Sequence, residues 1–153
     1  MTPDQPEFPF PETSTLFVFT PTPNTTWNLT LDTFTQALRR REGEQAFVHT
    51  TADGGAYGPS DENDWWFDFT ASGTTFEGIG SGVSGDEGVS LRNATAGAAA
   101  EFAAWLIQEL VPANGRVDVN TRAGMEAGLS DEVLAEPTAA RLEAVFREHL
   151  SDL

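Results

Sequence analysis

The chain has no cysteine and no lysine, two histidines, one tyrosine and no long hydrophobic run. Without cysteine there is no disulfide, no thiolate nucleophile and no cysteine-ligated zinc. Without lysine there is no Walker-type phosphate loop. Two histidines, His49 and His149, lie far apart and outside any HExxH-like spacing, so no metal site is expected. A membrane span needs about 18 consecutive apolar residues, and no stretch approaches that. The start, MTPDQPEFPFPETSTLFVF, has no basic segment followed by an apolar one and does not read as a secretory signal. The expectation is a cytoplasmic protein without a cofactor.

What is present is acid. Twenty-four Asp and Glu face eight basic residues, all arginine, for a net charge of −16 over 153 residues. A field of that sign repels phosphate backbones, so no nucleic-acid partner is expected. The only basic cluster, Arg39-Arg40-Arg41, suits a helix C-terminus, where cations complement the dipole. Arginine without lysine, with much Ala, Gly, Thr and Pro, fits a GC-rich genome. The acid excess also suits high salt, which screens self-repulsion.

Four prolines in the first fourteen residues, with Pro21 and Pro23 beyond, predict a Pro-rich extended arm over 1–25 and a single domain over 26–153. LFVF at 16–19 reads as an edge strand at best, because of the prolines that follow. Leu31, Phe34, Ala37 and Leu38 recur at helical spacing after the cap candidate Thr30, and Gly43 stops that helix. AFVHT (46–50) reads as a strand, with Phe47 and His49 on one side. A Gly-rich loop (52–63) follows. Residues 64–70 and 74–80 read as a hairpin around Ala71-Ser72-Gly73. The acidic Gly/Ser stretch 80–88 reads as a connector, and GVSLR after it as a strand.

The strongest helical signal is the stripe Ala96, Ala99, Phe102, Ala103, Leu106, Leu110, capped by Asn93 or Thr95 and closed by Pro112 and Gly115. VDVN (117–120) is a strand, residues 121–136 carry no clear pattern, and a last helix runs from Pro137 to His149. His149 near its end suits the helix dipole. Connections this short favour antiparallel pairing. The expected fold is therefore α+β: a two-layer sandwich, mainly antiparallel, with helices packed on one face.

DENDWWFDFT (61–70) is the chemically loudest stretch. It lacks the alternating ligands, turn Gly and distal Glu of a calcium loop. As a strand it puts Trp65, Phe67 and Phe69 on one face and Trp66 and Asp68 on the other. Asp61, Glu62, Asp64, Trp66 and Asp68 form the expected interaction surface. An outward tryptophan among acids is suited to a basic protein partner. No GxSxG elbow or other nucleophile motif is present.

The segment NATAGAAAEFAAWLIQEL, the surrounding order of elements and the ending REHL resemble small acidic α+β proteins of GC-rich bacteria. Some of these are similar to immunity proteins of polymorphic toxin systems. The resemblance covers 30–150, transfers no site residue, and implies a non-catalytic inhibitor of a basic partner. The alternative is a small-molecule-binding domain or an enzyme. It would have a carboxylate-based site between sheet and helices, using acids such as Asp64 or Asp68 together with His49.

Overall fold

The computed structural model describes residues 14–42, 46–50, 64–71, 73–82, 87–112, 115–129, 131–134 and 138–151. Their elements, in chain order, are β1 (Thr15–Pro21), α1 (Leu31–Glu42), β2 (Phe47–Thr50), β3 (Asp64–Ala71), β4 (Thr74–Ser81) and β5 (Gly88–Ala94). Then come α2 (Ala96–Leu110), β6 (Val117–Thr121), α3 (Arg122–Glu126), β7 (Glu132–Leu134) and α4 (Ala139–Ser151). The strands form one seven-stranded sheet in the order β2-β3-β4-β5-β1-β6-β7. Every pairing is antiparallel. The fold is α+β.

The expected edge strand at 16–19 is a correction. β1 lies between β5 and β6, deep inside the sheet. Its prolines do not interfere because Pro21 only closes the strand and Pro23 lies beyond it. Phe17 and Phe19 are fully buried. Residues 15–25 accordingly belong to the folded domain, and an arm running to 25 is ruled out. Residues 1–13 lie outside the described residues.

α1, α2 and α4 collect on one face of the sheet. α1 starts with a reciprocal cap: the Thr33 N–H donates to Thr30 Oγ1 and the Thr30 N–H to Thr33 Oγ1, both at 3.1 Å. Its last-turn arginines reach α2, where Arg40 pairs with Glu109 and Arg41 with Glu101. The guanidinium of Arg41 also lies over the rings of Phe69 and Trp105. Of the two candidate caps for α2, Thr95 takes the role, accepting from the Ala98 N–H. Asn93 instead takes a positive φ of 48° where the β1–β5 register shifts, so it turns the strand toward the helix.

Between the layers the space is filled by aromatic rings. Phe102 of α2 meets Phe19, Phe67 and Phe76, and Phe34 of α1 meets Trp65, Phe67 and Trp105. Rings this large fit over β3 because β4 offers no side chains beneath two of them. Gly80 lies opposite Trp65 and Gly78 opposite Phe67. A Cβ at Gly80 would clash with the Trp65 indole, and one at Gly78 would strike the Ser90 carbonyl and the Phe67 ring. α4 packs along α2 and closes the layer through Leu142 and Phe146.

Candidate functional site

Among the described residues, the opposite face of the sheet carries no helix over its β2–β3–β4 half. Strand parity and register define what stands there. Trp66 is opposite His49 of β2 and Ile79 of β4, while Asp68 is opposite Phe47 and Glu77. Asp64 is opposite Ser81 at the strand's start. Phe47, Trp66 and Ile79 are 54%, 44% and 38% exposed, which makes them three of the four large hydrophobic side chains left in solvent among the described residues. They run diagonally over three adjacent strands, close enough for large side chains to form one apolar stripe. Half-buried Asp64, Asp68 and Glu77 border it.

Of the residues singled out from sequence, the structure therefore brings Asp64, Trp66 and Asp68 onto one face. Asp61 and Glu62 lie outside the described residues. Phe47 was legible as sharing a side of its strand with His49, but not that this side is the open one, nor its place beside Trp66. Ile79 and Glu77 were missed. The signal for them was available: once a two-residue turn is placed at Ser72-Gly73, Trp66 must fall opposite Ile79. Gly73 adopts the positive φ of 81° that such a turn needs.

The other half of this face is closed. Asp118 and Asn120 point the same way as Trp66 but are buried. Asp118 accepts from the Thr22 hydroxyl at 2.7 Å. The Asn120 amide donates to the Leu129 carbonyl and to Asp131. The exposed stripe is thus confined to the end of the sheet bounded by β2.

Two buried polar clusters lie elsewhere. Glu87, read from sequence as part of a connector, is nearly buried and holds the 26–29 segment. Its carboxylate accepts from the Thr26 hydroxyl (2.7 Å) and from the backbone N–H groups of Trp27 (3.1 Å) and Leu29. Threonines 20, 22, 25 and 30 line a shallow groove beside it. With three donors already satisfied, this carboxylate acts as a staple.

The second cluster holds His149, which lies in the last turn of α4 as the sequence suggested. It is 3% exposed, with Nε2 2.9 Å from Thr121 Oγ1. That hydroxyl also accepts the Gly124 N–H and so caps α3. A threonine beside a histidine has the composition of a nucleophile and base. Here both are sealed from solvent, and the pair fastens α4 to the end of β6.

Parity also decides where the carboxylates of the alternative reading lie. Asp64 and Asp68 stand on the face away from the helices, and the interlayer space holds rings instead. Among the described residues no group of three or more His, Asp or Glu is arranged to hold a metal ion, and no helix is long and apolar enough to cross a membrane.

No family model, curated protein or solved structure matches the chain. Its chemistry is therefore read from its own surface.

Proposed function

We propose that this chain is a non-catalytic binding protein, an inhibitor of the immunity or antitoxin kind, that docks a basic protein partner on the open half of its sheet. One observation carries the reading: Trp66 is 44% exposed on a face that carries no helix among the described residues, in line with Ile79 and Phe47 and bordered by carboxylates. Interface hot spots favour tryptophan at a desolvated centre, while charged rims set the encounter rate. A net charge of −16 supplies the long-range attraction for a cationic surface. The proposal places the protein in the cytoplasm with its target and needs no cofactor.

The test is kinetic. The partner is captured on the immobilised chain from cells that express it, identified, and its association rate measured against wild type and against the triple variant Asp61→Asn, Glu62→Gln, Asp64→Asn. A basic partner whose association slows in the triple variant, and slows again with added salt, is the expected result. An acidic partner, or one whose association ignores both changes, contradicts the proposal. So does a saturable rise in melting temperature with calcium, magnesium, manganese or zinc that these substitutions abolish, because it would make the acids an ion site.

A further inference from the structure

β3 and β4 pair along their whole length and form a two-stranded ribbon within the open half of the face. Register places side chains on it in a fixed order: Asp64 at one end, then Trp66 opposite Ile79, then Glu77, then Thr70 opposite Thr75. The order of types is acid, apolar pair, acid, hydroxyls. Trp66, Ile79, Thr70 and Thr75 are exposed, and Asp64 and Glu77 are half-buried. Such a ribbon presents only side chains outward. Its main-chain donors and acceptors lie in the plane of the sheet, directed at the neighbouring strands. An element that settles on the face therefore receives no main-chain hydrogen bonds from it and must satisfy its own. A helix does so, and an extended segment lying on the face does not.

We propose that the basic partner reaches this face with an amphipathic helix laid along the β3–β4 ribbon. This deepens the binding reading above and rests on it. The dimensions match: successive side chains on one face of a strand are about 6.7 Å apart, and four residues of helix rise about 6 Å. Positions at steps of four also share one side of a helix. An apolar residue seated over Trp66 and Ile79 thus brings the residue four positions on to Glu77, and the one after that to Thr70 and Thr75. Arginine or lysine suits the first of these places, where a carboxylate stands. Asparagine or glutamine suits the second, where two hydroxyls stand 3.3 Å apart. In the other direction, a cation four positions before the apolar residue meets Asp64. The occupant that fits is therefore a helix reading basic, apolar, basic, polar at steps of four, docked by its side chains alone. A second copy of this chain is disfavoured as the occupant, since each copy carries −16.

The probe is a blocked, alanine-rich peptide of about sixteen residues, long enough to hold a helix, with lysine, leucine, lysine and glutamine at steps of four. Its control keeps those four residues and replaces two alanines between them with proline, which breaks the helix. Both are titrated into the full chain, with the dissociation constant as the readout and the chain without peptide checked for self-association. The expected result is saturable binding of the helical peptide, weakened about tenfold or more by the prolines and by Trp66→Ala, and about threefold or more by Glu77→Gln. Equal binding of the proline peptide, still weakened by Trp66→Ala, overturns the helix and leaves the open-face reading in place. Helical binding that ignores Glu77→Gln overturns the placement along the ribbon. Binding by neither peptide, or binding indifferent to Trp66→Ala, overturns the helix and the open-face reading together. So does self-association that Trp66→Ala abolishes, which assigns the face to a second copy.

Discussion

Trp65 and Trp66 are adjacent in the chain and occupy opposite environments. Trp65 has no exposed surface; it lies over Gly80 and against Phe34. Trp66 keeps 44% of its surface, on the face that no helix among the described residues covers at that end. Two residues of one type, on one strand, thus separate the two tasks of the sheet. The helix-covered face is defined several times over, by ring contacts, by the glycines that make room for them and by the α2 stripe. The open half of the other face leaves Trp66, Ile79 and Phe47 in solvent. Contact with a partner is the explanation proposed above.

The largest expected effect lies on the covered face. Trp65→Ala should destabilise by about 3–5 kcal/mol and Leu106→Ala by about 2–5 kcal/mol in urea denaturation, since both side chains are fully buried. A loss below ~0.5 kcal/mol, typical of surface substitutions, would mean that the two faces have been exchanged.

Gly80→Ala sharpens the comparison from the opposite side, by adding atoms. Overpacking should cost about 1–3 kcal/mol. The cost should shrink when Trp65 is first replaced by leucine, because the clash is with the indole. Additive losses in the double variant would show that Gly80 matters for its backbone and not for the ring above it.

Glu87→Gln tests a buried polar support at the end of the sheet. It replaces one of the two acceptor oxygens with an NH2, which at the least faces the Leu29 N–H that now donates to Oε2, and should cost about 1–3 kcal/mol. Salt is a milder perturbation. The melting temperature should rise between dilute buffer and molar NaCl as the repulsion within a −16 chain is screened. An unchanged or lower value would mean that the acids are already locally paired, as Glu101, Glu109 and Glu143 are with arginines.

Local signals in the sequence were enough for some of the fold. The 64–80 hairpin, α1 and α2 followed from periods of two and 3.6 and from their caps. These depend on neighbours within a few positions. β1 was misplaced because strand order is a non-local property: nothing in LFVF says that it pairs with residues 88–94 and 117–121 on its two sides. The segment 121–136, which contains α3 and β7, shows little periodicity because α3 has only five residues and β7 three. Trp66 and Asp68 could be assigned to the open face from parity alone. Ile79 and Glu77 needed the hairpin register as well. Glu87 and His149 could not be recognised as buried, because their partners lie about 60 and 28 residues away in the chain.

The smallest expected effect on the fold is also the most informative. Trp66→Ala should leave the urea midpoint nearly where it is, within the ~0.5 kcal/mol typical of surface changes. The deciding measurement is the dissociation rate of the captured basic partner from wild type and from Trp66→Ala. The account predicts dissociation about tenfold faster or more from the variant, because hot-spot truncations act mainly through the off-rate. An unchanged dissociation rate would contradict it and leave Trp66 without the role assigned to it.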